Sequence, residues 1–244
     1  MVCENCHKEN RSVAKFCKWC GAPLASQDLL DRLVGLDEVK RQLKTIVNTY
    51  TYLQSRKDIA KVRISVNAIV IGETGTGKTM LAEILRDYFY KHKIIEKPKL
   101  TMVDAVDYQR FVDKWDDNIK KAKGGILFFD NVQKLLPNKY SNQVNPLDKL
   151  LVISGLTKGL EDFLESNPAV TNRFKYTFRL PTPGYHELTD ICKMNLRTRY
   201  GITKFSQEAE NQLSRYFKYQ VKTKDELFGN GHLAHKTAED IFTQ

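Results

Sequence analysis

The segment from Gly72 to Thr79 constrains this chain more than any other. It reads Gly72, Glu73, Thr74, Gly75, Thr76, Gly77, Lys78, Thr79, a full G-x-x-x-x-G-K-[ST] pattern. The pattern carries meaning only between a strand and a helix, and both are expected here. Val66 to Ile71 is a short, β-branched apolar run that predicts a buried strand. After the loop, Met80, Leu81, Ile84, Leu85, Tyr88 and Phe89 recur at helical spacing. Glycines in the loop let backbone N–H groups turn inward around a phosphate, and a helix beginning near Lys78 adds its positive end. Lys78 then suits the β- and γ-phosphates and the Thr79 hydroxyl suits Mg²⁺. The expected ligand is ATP with magnesium.

Gly124 to Asp130 predicts a second buried strand that ends in a carboxylate. In phosphate-loop proteins the metal-holding Asp emerges at such a strand end, which makes Asp130 the expected second Mg²⁺ partner. Leu150 to Ile153 predicts a third strand, ending at Ser154 and Gly155. Buried strands joined by helical segments predict a parallel, three-layer α/β sheet, whose ligands bind at the strands' carboxyl ends.

The first residues carry a different chemistry. Cys3 and Cys6 form one C-x₂-C pair, and Cys17 and Cys20 form a second, ten residues apart. Two tight turns, each offering two sulfurs, complete the tetrahedron that structural Zn²⁺ prefers. Gly21 follows the second pair, where a positive φ is needed. The rival readings are a redox pair and disulfides. Neither a thioredoxin-like pattern nor an oxidising compartment is indicated. Cys192 stands alone on an amphipathic helix and is expected to be a core residue.

The formal charge is +10. Four zinc-bound thiolates and bound Mg·ATP would bring it to about +6. Between Arg173 and Lys224 there are eleven Lys or Arg against four Asp or Glu. Solvated helix faces are the simple explanation, and a nucleic-acid or acidic-partner surface the less favoured one. No run approaches the length of a membrane span and no secretory signal is recognisable, so a cytoplasmic protein without membrane contact is expected.

With these residues in place, positions 28–244 resemble the AAA+ ATPases, and within them the CbxX/CfqX-like group. Leu33 to Lys40 looks like that group's linker, whose Val34 and Gly35 would line the adenine pocket by resemblance. Phe163 to Phe174 is similar to its Asn-Pro…Arg-Phe segment, and Pro183 to Leu188 resembles the opening of its helical lid. The resemblance makes Arg173 an arginine finger offered to a neighbouring subunit, which implies a ring or open spiral, commonly a hexamer. It places Lys236 where the lid normally carries an Arg, with His232 or His235 as weaker candidates.

The chain departs from the group in four places. Asn131 stands where Glu should follow Asp130, and an amide cannot accept a proton from the attacking water. The aromatic-glycine pore loop is not recognisable, with Tyr108 or Phe111 as the substitutes at hand. The stretch from Asp130 to the third strand is short and contains Pro137 and Pro146. Ser154 or Leu156 falls where a polar residue would watch the γ-phosphate, and Lys236 keeps the charge of the lid Arg without its fork. The expected organisation is a zinc ribbon at 1–26, an AAA+ α/β domain at 27–180 and a helical lid at 181–244. The expected function is an ATP-binding module that assembles on nucleotide and acts on a protein partner, with weak hydrolysis. A nucleotide-locked scaffold and a nucleic-acid-associated loader are the alternatives.

Overall fold

The structure is a computed structural model that describes residues 8–9, 17–19, 21, 28–56, 66–105, 115–134, 150–224 and 228–243. They fall into two compact units, Leu36–Pro181 and the combination of Met1–Gly35 with Thr182–Gln244.

The larger unit is built on a five-stranded sheet: β1 (Ala68–Gly72), β2 (Leu100–Asp104), β3 (Ile126–Asp130), β4 (Leu150–Gly155) and β5 (Tyr176–Leu180). The spatial order is β2-β3-β4-β1-β5 and every pairing is parallel. A parallel sheet is covered on both faces, so its central strands need apolar residues at consecutive positions. β1 is buried at all five residues and β3 at its first four. Asn67, buried just before β1, uses its side-chain carbonyl to accept the Leu151 N–H at 2.8 Å.

Three strands were expected and five are present; β2 and β5 are the additions. Both lie at the edges, where one long side lacks a partner and continuous apolar runs are not required. β5 alternates, with Phe178 and Leu180 buried while Thr177 and Arg179 face out. In β2, Met102 is 48% exposed.

Helices close both faces. α1 (Asp37–Ser55) lies against β5, and α2 (Lys78–Lys91) against β1 and β2. α3 (Trp115–Ala122) covers β2 and β3. α4 (Thr157–Ser166) covers β1 and β4 and leads into the short α5 (Pro168–Thr171). On the α3 and α4 side, Ile69, Leu127, Phe129, Leu151 and Ile153 pack with Ala122, Leu160, Phe163 and Phe174.

The smaller unit contains α6 (Tyr185–Tyr200), α7 (Gln207–Lys222) and α8 (Gly231–Thr243). Its core joins Leu188, Cys192 and Leu196 of α6 to Phe217 of α7 and to Ala234 and Ala238 of α8. Burial pushes the Cys192 thiol up to about 12, in keeping with a packed, unreactive side chain. On α7, Phe217 occupies the centre of the buried face and Tyr216 is 39% exposed at its margin.

Removing the Phe129 ring, fully buried at the centre of the sheet, is expected to destabilise the protein by about 3–5 kcal/mol. Met102→Ala, on the exposed edge, is expected to cost less than about 1 kcal/mol. Midpoints of chemical denaturation measured side by side check the difference.

Candidate nucleotide-binding site

β1 ends at Gly72, and the chain turns tightly before α2. A Cβ on Gly72 would sit 2.5 Å from Thr76 Oγ1 and 2.9 Å from Leu180 Cβ, so only glycine fits between loop and β5. Thr76 closes the turn, donating its hydroxyl to the Glu73 carbonyl at 2.8 Å. Gly75 has φ +75 and Gly77 has φ +96. Gly77 is the N-cap of α2 and offers no side-chain cap, so the first N–H groups of the helix have no intrahelical or capping acceptor. A helix end of this kind attracts negative charge.

Lys78, the first residue of α2, folds back over the loop. Its Nζ donates to the Gly72 carbonyl at 2.8 Å and to the Glu73 carbonyl at 3.0 Å. Burial lowers its pKa, and the negative charges of Asp130 and then Glu73 work against that shift. Thr79 is exposed beside it.

Parallel register carries a row of polar groups across the sheet's carboxyl edge. Asp104 of β2 pairs with Asp130 of β3, while Ser154 of β4 pairs with Val70 of β1. Ser154 is fully buried, and its hydroxyl donates to Asp130 Oδ1. The Asn131 backbone N–H donates to the same oxygen at 2.9 Å. Both donors use Oδ1. Asn131 continues the row, its Nδ2 donating to Asp104 Oδ2 at 2.5 Å.

Asn131 has φ +55, in the left-handed region where Asn is among the best-tolerated residues other than Gly. A longer side chain is less suited to that backbone. Asp104 was not singled out from the sequence as a site residue; its one signal is a carboxylate closing a short strand one place out from β3. Of the two residues expected near the γ-phosphate sensor position, Ser154 contacts Asp130, whereas Leu156 is the N-cap of α4.

Arg173 is exposed on the turn after α5, next to Phe174, which is buried in the sheet core. The turn is tied by Asn167 Nδ2 to the Phe163 carbonyl at 2.8 Å and by Thr171 Oγ1 to the Leu164 carbonyl at 2.8 Å. Val34, Gly35 and Lys236 belong to the smaller unit; Gly35 has φ +68 and Lys236 is exposed on α8.

Of the four zinc-candidate cysteines, Cys3, Cys6 and Cys20 lie outside the described residues, as do Tyr108 and Phe111. Cys17 is buried, its Sγ accepts the Trp19 N–H at 3.4 Å, and its carbonyl accepts the Gly21 N–H at 2.9 Å. Gly21 has φ +72. Among the described residues, no group of three or more His, Cys, Asp or Glu could hold a metal ion.

A model of the ATPase family associated with various cellular activities (AAA) matches residues 68–178. The chain is 25% identical over 232 residues to stage V sporulation protein K of Bacillus subtilis, covering 86% of this chain and 71% of that protein. It is 24% identical over 243 residues to the ESX-1 secretion system protein EccA1 of Mycobacterium tuberculosis. That match takes in 88% of this chain but only 42% of EccA1.

Among solved structures, the RuvB Holliday junction branch migration motor of Thermotoga maritima is similar with a TM-score of 0.57 at 16% identity. The likeness covers 88% of this chain and 65% of RuvB. NtrX from Brucella abortus, in complex with ATP, is similar with a TM-score of 0.51 at 15% identity, covering 84% of this chain and 50% of NtrX. Such low identities speak to the fold alone. Sheet order and the glycine loop between β1 and α2 give this chain a phosphate-loop NTPase fold, within which residues 68–178 are similar to the AAA family.

Proposed function

We propose that this chain binds ATP with magnesium, assembles into a nucleotide-dependent ring or spiral, and acts on a protein partner with slow hydrolysis. The observation that carries the reading is the junction of β1 and α2, where an uncapped helix end and the Lys78 ammonium meet at one glycine turn. The donor set fits the ligand. N–H groups of the loop and Lys78 suit phosphate oxygens, while the Thr79 hydroxyl and Asp130 Oδ2 suit a magnesium ion or its water. Magnesium supplies charge neutralisation on the phosphates when bound. Ser154 and the Asn131 N–H hold Asp130 in place for it.

Asn131 is the reason for slow turnover. Loss of a general base typically lowers a rate by about 10²–10⁴-fold. Arg173 is proposed as the finger reaching a neighbouring subunit, with the buried Phe174 fixing its place in the chain. A trans-acting finger requires an oligomer, and six subunits is the proposed number. The roles that resemblance assigns to Val34, Gly35 and Lys236 are retained, as is the division at 1–26, 27–180 and 181–244. A protein partner is in keeping with the sporulation and secretion proteins among the relatives. A cytoplasmic location is proposed; among the described residues no helix is long and apolar enough to cross a membrane.

Structural zinc on Cys3, Cys6, Cys17 and Cys20 is part of the proposal. The left-handed Gly21 and the N–H directed at Cys17 Sγ suit a metal-binding knuckle, since N–H donors stabilise thiolate charge.

A second reading has one observation in its favour. α7 buries Phe217 and turns Arg215, Lys218, Tyr219 and Lys222 outward at helical spacing, with Tyr219 64% exposed. Cations flanking an exposed ring suit single-stranded nucleic acid.

Calorimetry with MgATP should show binding, and Lys78→Ala should weaken it by about 10- to 100-fold, the worth of charge-assisted hydrogen bonds to phosphate. Arg173→Ala should leave that affinity intact yet reduce phosphate release from the assembled protein by about 10³-fold or to background. Metal analysis of the purified protein is expected to find one zinc per chain, lost on replacing Cys3 and Cys6 by Ser. Anisotropy with labelled single strands tests the second reading: binding that weakens steeply with salt would favour it, and none at low salt removes it.

A further inference from the structure

We propose that the edge of the sheet opposite the glycine loop is a docking surface for duplex nucleic acid, held through its phosphates and blind to its bases. The surface belongs wholly to the larger unit and uses no residue of the nucleotide site or of α7. It therefore stands or falls apart from both readings above.

Parallel strands that send Asp104 and Asp130 to one edge send their first residues to the other. Two helices end there and two strands begin. α2 finishes with Lys91, and Lys93 follows in the left-handed region with φ +58. Lys97 and Lys99 lead into β2. Lys120 and Lys121 form the last turn of α3, and Lys123 stands just before β3.

The main chain ties these stretches together. The Gly124 carbonyl accepts the Glu96 N–H at 2.9 Å and the Lys97 N–H at 2.8 Å, and the Lys99 carbonyl accepts the Ile126 N–H at 2.8 Å. A Cβ on Gly125 would lie 2.3 Å from the Lys99 carbonyl oxygen, so the approach requires glycine. Lysines far apart in sequence are thereby gathered on one surface.

All seven lysines are exposed. Residues 91–99 and 120–124 hold one carboxylate, Glu96, which leaves a net +6 out of +10 for the whole chain. Among the described residues, none of the seven forms an ion pair. Helix ends account for little of this. Two helix C-termini together carry about one unit of negative charge, enough to favour a lysine or two. Like charges crowded without partners oppose the compact state. Folding gives no reason for the cluster, whereas a polyanion supplies the missing counter-charge.

Chemistry selects among polyanions. An ammonium is a point charge that meets a phosphate from any direction, while carboxylates are best matched by the arginine fork. Neither stretch contains an arginine. Attachment to an anionic membrane calls for an apolar anchor beside the cations, and here Ile95 is buried and Ile94 half-buried. Single strands are held on successive stacked rings; Tyr90, at the end of α2, is the nearest exposed ring in sequence and stands alone there. A duplex carries one charge per about 1.7 Å of its axis and asks for cations alone.

Fluorescence anisotropy with a labelled duplex of random sequence, titrated from about 25 to 200 mM salt, tests the proposal. Wild type should bind at low salt with a steep salt dependence and no sequence preference. Lys97→Gln, Lys99→Gln, Lys121→Gln and Lys123→Gln together should weaken binding about 100-fold or more and flatten the logarithmic salt slope by about 3 to 4. Each substitution made singly should lower the slope by about 1. Arginine at the same four positions keeps the charge and should restore binding, and circular dichroism verifies folding throughout. Lys218→Gln with Lys222→Gln, on α7, should leave duplex binding unchanged. Failure of folded wild type to bind duplex at low salt overturns the proposal, as does a folded four-lysine variant that binds like wild type. Tighter binding of a single strand overturns it too, as does stronger displacement by polyglutamate or phosphatidylserine vesicles than by unlabelled duplex at matched charge.

Discussion

Each strand pairing in the sheet is parallel, and the register delivers Asp104, Asp130, Ser154 and the start of the glycine loop to one edge. Neither the loop nor the carboxylates would act together without that alignment. Strands in a parallel pair lie about 4.8 Å apart, so groups at neighbouring strand ends come within reach of a side-chain hydrogen bond. Ser154, Asp130, Asn131 and Asp104 use that reach in sequence and link three strands. The apolar layers beneath are what fix the register. A slip of one residue would move Phe129 and Ile153 to the opposite apolar layer and Asp130 away from Ser154 together.

The central elements were legible because their burial is complete. β1 and β3 sit inside a covered sheet and must be apolar at consecutive positions, which is a pattern that a chain shows without any structure. α2 was legible from its periodic Leu81, Ile84, Leu85 and Phe89, all fully or almost fully buried. The edges were not. β5 places Thr177 and Arg179 between buried residues, and β2 leaves Met102 to solvent, so neither forms a continuous run. Asp104 is as hard to read, because a carboxylate at the end of an edge strand has no continuous apolar run pointing to it.

The tight turn between β1 and α2 was legible from its glycines, since Gly72, Gly75 and Gly77 each meet a geometric demand there. In the sequence, position 131 shows only an Asn where the resemblance expects a Glu. Its left-handed backbone and its partner Asp104 emerge only from the fold, as pairing between residues 27 positions apart is a matter of strand order.

These two constraints on Asn131 bear on how its departure from the expected Glu is understood. A Glu at this position would adopt the same φ of +55 without the local tolerance that Asn has, at a cost of about 1–2 kcal/mol. It would also bring a second negative charge to the Asp104 carboxylate, which now accepts a hydrogen bond from a neutral amide. The backbone and the neighbour disfavour Glu for separate reasons, and both are met by Asn. Loss of a catalytic group alone leaves its surroundings suited to the residue that was lost. Here the surroundings suit the residue that is present, and the charge usually carried at the end of β3 sits instead at the end of β2, one strand away. In the proposed nucleotide site, Lys78, Thr79 and Asp130 are the groups left for phosphate and metal, while position 131 offers an amide in place of a carboxylate.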